Sequence, residues 1–323
     1  MAKPVRFGVF VPQGWRMDLT EIAAPTAKFD AMLAAARAAD AEPTLDSIWV
    51  YDHFLTRPTP TLETVFECWV SSAALARETR RVNIGQLVSC NGYRHPALFA
   101  KMASTLDAAS GGREIAGIGA GWAEHEFHAY GYAFPDTPQR MRAFREAVEL
   151  IHRMWTESYP TFAGRAYTID GAINEPKGAH GPPPLWIGGD GERVTLRLVA
   201  QYGDGCNVGD GDLAVIPRKL AALRRHCDDL GRDYDAIAKS TIVNTLVLEP
   251  GEDRAAAIDA ARGHRSPERF RELFWVGAPE ELAERFQALR ETGIDYLIAY
   301  LPRLAYDHTQ LQRFAREVAP LLR

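Results

Sequence analysis

Asp52 and His53 stand side by side directly after the apolar run Ser47-Ile48-Trp49-Val50-Tyr51. An imidazole titrates near neutrality, so His53 can serve as a general acid or base if the chain holds it at a cavity mouth. The plainer alternative is a histidine that caps a loop carbonyl. A second constellation, Gly188-Gly189-Asp190-Gly191-Glu192-Arg193, ends another apolar run and opens the helical segment Val194–Gln201. Backbone N–H groups at a helix start, reached closely past glycine, form an anion cradle that suits a phosphate-bearing cofactor. Its competing reading is a turn that needs positive φ. Gly117-Ile118-Gly119-Ala120-Gly121 tempts a dinucleotide fingerprint, but that turn reads G-x-G-x-x-G, and here Trp122 follows. Such glycines let the backbone approach a flat ring.

Other residue types point to chemistry less strongly. His125 and His128, with Glu124 and Glu126, resemble a metal cluster but lack the i, i+4 histidine pair of the helical zinc motif. Surface positions on a helix after a strand are expected for all four, and no metal is assigned. Cys90 lies in no activation motif, so a pocket-lining thiol is expected rather than a nucleophile. Trp15, Trp49, Trp186 and Phe54 are expected mostly in the core. Trp122 is the exception, because it follows a glycine loop at a strand end.

These residues need a scaffold that brings strand ends together. The 323 residues carry 37 Lys and Arg against 42 Asp and Glu, a formal net charge of −5, which argues against nucleic acid or an anionic membrane as partner. At 46% hydrophobic and 24% charged, the chain is globular rather than disordered. The longest apolar stretches are strand-sized, and Phe7-Gly8-Val9-Phe10-Val11 is too short for a secretory segment. Cys68, Cys90, Cys206 and Cys227 show no C-x-x-C spacing, which points away from a disulfide framework and toward a reducing cytoplasm.

Eight strands are predicted: Arg6–Val11, Asp46–Tyr51, Arg81–Val88, Glu114–Gly119, Pro184–Gly188, Gly205–Val208, Lys239–Leu248 and Asp295–Leu301. Between them run helix-period stretches, such as Met141, Phe144, Val148, Ile151 and Trp155 on one face. Eight strand–helix alternations predict an α/β fold, a (β/α)8 TIM barrel, with a doubly wound open sheet as rival. Two insertions interrupt the repeat: a hairpin within Pro160–Pro176, turning at Ala163-Gly164, and the charged segment Glu249–Phe274 after the seventh strand, a candidate lid. No linker or composition shift divides the chain, so one domain over 1–323 is expected. Active sites of such barrels lie at the C-terminal strand ends. That rule gathers Pro12-Gln13-Gly14-Trp15, Asp52-His53-Phe54, Ser89-Cys90-Asn91, Gly119–Trp122 and Gly188–Glu192 on one rim.

In this order the rim segments resemble the luciferase-like monooxygenase superfamily, and within it the deazaflavin-dependent branch, whose cofactor is coenzyme F420. The stretches that carry the resemblance are Phe7–Gln13, Ser47–Phe54, Asn91–Asp107 running into Ser110–Arg113, Gly117–Trp122, Trp186–Glu192 with Thr195–Ala200, and Asp204–Asn207. It returns weakly at Gly277–Leu282 and Gly293–Leu297. The resemblance implies a flavin-shaped ring at the C-terminal mouth of a barrel, usually in a homodimer. His53, with Asp52 beside it to orient it or touch the ring, would assist protonation or deprotonation of a small organic substrate. A non-proline cis peptide between Gln86 and Asn91 would back the ring, so that Val88, Ser89, Cys90 and Asn91 contact cofactor. Gly119, Ala120 and Gly121 would line the ring or its ribityl chain, and Gly188, Gly189, Asp190 and Gly191 would hold the phosphate. Gln13, Trp15 and Trp122 would face substrate.

The implied activity is hydride transfer between F420 and that substrate. The alternatives are an FMN-dependent monooxygenase and a flavin-binding protein without turnover. A deazaflavin has carbon in place of the flavin N5, so it transfers hydride and hardly reacts with oxygen, whereas reduced FMN activates oxygen. Sugar-phosphate dehydrogenases of this branch carry an acid where this chain has Trp122. With Lys177, Lys219 and Lys239 scattered along the sequence, a less charged, planar substrate stacked on Trp122 is expected.

Overall fold

The computed structural model describes residues 4–322. Eight parallel strands close into a barrel: Arg6–Phe10, Ser47–Val50, Asn83–Gln86, Glu114–Gly119, Leu185–Gly188, Gly205–Asn207, Ala238–Val247 and Tyr296–Tyr300. Each pairs with its neighbour in chain order. Register pairs Gly8 with Ser47 on one side and Ile298 on the other, and Ser240 with Asn207 closes the ring. The chain forms these strands because each apolar run is buried on both faces, one toward the barrel interior and one toward the helices. Every predicted strand is present. The open-sheet rival fails because the sixth and seventh strands pair.

The lower barrel is a packed plug. Trp49 and Trp186 meet at 5.0 Å between ring centroids, and Tyr296 stands edge-on to both. Ser47 Oγ lies 2.6 Å from both Trp49 Nε1 and Tyr296 Oη, so the polar edges of two buried rings are satisfied. Neighbouring strands make room with glycine: a Cβ at Gly85 would lie 2.3 Å from the Trp49 ring. The interior is therefore filled below and open only above, at the C-terminal strand ends.

The third strand departs from its expected length. It stops at Gln86, the Leu87–Val88 peptide is cis, and the chain pairs again at Ser89–Cys90 against Ile118 and Gly119. This bulge falls within the expected window. The hairpin is also present, but Phe162–Ala163 pairs with Thr168–Ile169, so the reversal runs over 164–167 rather than Ala163-Gly164. Glu146 explains the shift, since its carboxylate accepts from the Arg165 and Ala166 amides. After the seventh strand come two short helices, Arg254–Ala261 and Pro267–Leu273, and then Trp275–Gly277, which adds to the outer end of that strand. Among the described residues no helix is long and apolar enough to cross a membrane.

Candidate active site

The open end of the barrel holds a cavity of about 580 Å³. Trp15, Asp52, His53, Val88, Ser89, Cys90, Gly119, Gly121 and Trp122 line it together, as the rim rule predicts. His53 is mostly buried, and its ring lies flat on Trp15 at 4.1 Å with an interplanar angle of 2°. Trp122 meets the same imidazole edge-on at 5.4 Å while its own indole stays exposed. The site histidine is thus held between two tryptophans from different loops.

What orients His53 is Glu126, not Asp52. Its Nδ1 lies 2.8 Å from Glu126 Oε2. The same carboxylate accepts from Tyr93 Oη at 2.8 Å and from the backbone amides of Phe54 and Leu55. Burial opposes charge on Glu126, but these donors outweigh it and hold the carboxyl below its ordinary value. An ionised carboxylate only accepts, so Nδ1 carries the proton and Nε2 is the nitrogen left for the cavity.

The expectation that Glu126 sits on the surface is therefore wrong. The helix Glu124–Ala129 turns Glu126 and Phe127 inward, while Glu124, His125 and His128 do face solvent. A buried acid among charged neighbours has no mark in the sequence. The one available signal is its place on the helix directly after the glycine loop.

Asp52 lines the cavity, but its charge is spent elsewhere. Arg94 grips it through both oxygens, at 2.5 and 3.0 Å, and the Cys90 amide donates at 2.7 Å. This bidentate pair ties the loop after the second strand to the bulge after the third. Asp52 therefore positions backbone and does not orient His53, a correction to one of its two expected roles; the other, contact with the ring, fits its place in the lining. Gln13 is corrected too. Its amide is buried, donates to the Tyr51 and Phe66 carbonyls and accepts from the Tyr51 amide, so it clamps two loops and does not face the cavity. Asn91 turns away toward Tyr167 Oη at 3.0 Å. Burial pushes the Cys90 thiol up to about 12, as suits a neutral wall rather than a nucleophile.

Past Gly119 and Gly121 the cavity opens into a channel of about 710 Å³ lined by Ala120, Gly188, Gly189, Gly191 and Thr195. Val88 forms the shared wall. A Cβ at Gly119 would lie 2.7 Å from one Val88 methyl, and one at Gly188 2.8 Å from the other. Glycine at these two strand ends is what lets the bulge seat there. Gly189 has φ +121, and the helix Thr195–Tyr202 starts without a side-chain cap. Lys219, mostly buried, reaches the Asp190 carbonyl at 2.8 Å and Glu192 at 3.1 Å, placing a cation beside these amides. Asp190 itself turns from the channel to accept from the Gly209 amide.

The residues suit a flat ring with an anionic tail. The Ser89 hydroxyl and Tyr51 phenol are buried without a hydrogen-bond partner, and Tyr51 and Ser89 both line the cavity. An uncapped helix start, with Lys219 beside it and paired with Glu192, offers backbone donors to an anion at one end of the same space.

The model of the luciferase-like monooxygenase family matches residues 5–268, and the chain belongs to that family. An F420-dependent glucose-6-phosphate dehydrogenase of Kineococcus radiotolerans is 30% identical over 311 residues, covering 86% of this chain and 89% of that one. An FMNH(2)-dependent dimethylsulfone monooxygenase of Pseudomonas fluorescens is 27% identical, covering 72% and 71%. Among solved structures, an F420-dependent secondary alcohol dehydrogenase in complex with an F420-acetone adduct superposes with a TM-score of 0.82 at 20% identity, covering 99% of this chain and all of that one.

Proposed function

We propose that the chain is an oxidoreductase that moves a hydride between coenzyme F420 and a small organic substrate, acting as one domain over 1–323. The observation that carries this reading is His53, fixed through Nδ1 by Glu126 and facing a cavity that continues into the glycine channel. Bound F420 supplies a deazaflavin ring that gives or takes hydride and resists oxygen. Val88, Ser89, Cys90, Gly119 and Gly121, which line the cavity, would hold the ring. Amides at Gly188, Gly189 and Gly191, with Lys219, would hold the phosphate. His53 Nε2 takes a proton from the substrate hydroxyl, or returns one to its carbonyl, while Glu126 holds the imidazole and stabilises its charged form. Trp15 and Trp122 fix the ring of His53 and exclude water from it.

Side-by-side titration with F420 and FMN, followed by ring fluorescence, tests the cofactor. Saturable binding of F420 with little affinity for FMN is expected. FMN binding and oxygen consumption by the reduced complex overturn the reading in favour of a monooxygenase, the activity printed for the Pseudomonas relative.

The protein is further proposed to work in the cytoplasm as a homodimer. Four buried free cysteines suit a reducing compartment. Val70 and Leu98 present apolar side chains outward from the helices Cys68–Glu78 and Pro96–Ser110, a surface that pairing would cover. Sedimentation at micromolar concentration distinguishes dimer from monomer.

A further inference from the structure

The cavity has a second arm that shares no lining residue with the glycine channel. Through Arg16, Arg57, Asn244 and Leu273 it runs into a recess of about 350 Å³ between the barrel mouth and the insertion after the seventh strand. Arg16, Arg57, Arg265, Arg269 and His264 line this recess, and no carboxylate does. Arg269 pairs with Glu272 at 2.7 Å. Arg16, Arg57 and Arg265 have no ion-pair partner among the described residues.

These guanidinium groups are held in place without a direct ion pair. Arg16 donates to the Asn244 side-chain amide oxygen, Oδ1, at 2.6 Å, and its charge lies 4.2 Å from the centre of the Tyr300 ring. Its Nε is buried with no partner. Arg57 lies over Trp15 at 5.5 Å. Aromatic faces and a neutral amide fix a guanidinium while leaving its charge for a ligand. Partial burial, with Arg16 and Arg269 nearby, disfavours the charge on Arg57. The acids closest in effect are Asp18 and Asp210: burial raises the carboxyl of each, the arginines lower it, and neither side chain lines the recess. An unpaired cluster of like charges at a cavity end costs stability in the free protein, and an anion removes that cost.

We propose that this recess binds an anionic head group of the substrate, a carboxylate, sulfonate or phosphate, so that the carbon exchanging hydride lies beside His53. The inference rests on the functional reading above and names the substrate class for that site. Trp15 connects the two ends, since His53 stacks on it and Arg57 packs over it. This proposal departs from the expectation of a less charged, planar substrate stacked on Trp122. That expectation relied on scattered lysines, whereas the recess is built from arginines contributed by three segments far apart in sequence.

The test uses the F420-loaded protein, with inorganic phosphate and sulfate as probes in separate calorimetric titrations. Saturable binding of either anion is expected. It should weaken about tenfold or more in Arg57→Ala and in Arg265→Ala, and far less in Arg57→Lys, which keeps the charge. Affinity for F420 should be unchanged in all three variants. No saturable anion binding to the loaded wild type overturns the proposal, as does binding that the alanine variants leave intact. A parallel loss of F420 affinity in the alanine variants also overturns it, because the recess would then hold the cofactor's own acidic tail. If wild type fails to bind F420, the functional reading falls instead, and phosphate titration of the free protein against Arg57→Ala still decides whether the recess binds anions.

Discussion

Two charged clusters border the same cavity and differ in one respect. Asp52 and Arg94 answer each other through two hydrogen bonds and are nearly sealed from solvent. Arg16, Arg57 and Arg265 line a recess that no carboxylate lines, and none of the three has an ion-pair partner among the described residues. A compensated buried pair has its charge answered within the protein, and here it holds two loops in place. An uncompensated cluster, kept in position by aromatic faces, retains its charge for something that arrives. Adjacency in sequence is therefore a poor guide to role. Asp52, next to His53, pairs with Arg94, while Glu126, 73 residues away, is the group bonded to the imidazole.

The contrast is testable from its largest expected effect downward. His53→Ala should keep F420 affinity and lower the turnover rate about 10²–10⁴-fold, read by the change in F420 absorbance under steady-state conditions. Arg94→Ala leaves the Asp52 carboxylate buried and unpaired, and should lower unfolding free energy by about 3–5 kcal/mol in a denaturant titration. If Arg57→Ala destabilises the fold as much, the two clusters do not differ as described; a neutral or stabilising change is expected. Gly119→Ala puts a methyl against Val88 and should cost about 1–3 kcal/mol while weakening F420 binding, measured by melting and by fluorescence titration.

The smallest effect is a pH dependence. The folded Glu126 carboxyl lies below its ordinary value of 4.5, so its stabilising contribution is full above that value and is lost as pH falls through the folded one. Melting curves of wild type and Glu126→Gln should converge as the buffer is acidified below 4.5 and separate above it. The variant should also lower turnover without changing F420 affinity.

Most of the scaffold was legible in the sequence. Strand periodicity located all eight barrel strands, because a buried parallel strand is an unbroken apolar run. The rim rule then gathered His53, Trp15, Trp122 and the two glycine loops before any geometry was known. Less legible were side chains whose role depends on what the fold sets opposite them. Gln13 reads as a pocket residue but spends its amide on Tyr51 and Phe66. Glu126 reads as a surface acid because its helix begins with exposed residues. The arginine recess assembles from positions 16, 57 and 265, a juxtaposition created by the closure of the barrel and the fold of the insertion.

The most direct test of the central claim is a crystal structure of the protein with F420 bound. The tricyclic ring should lie across the barrel mouth between Val88 and His53, with His53 Nε2 facing the substrate side and the tail phosphate on the amides of Gly188–Gly191 near Lys219. A ring bound elsewhere, or one whose reactive face is remote from His53, would contradict the account.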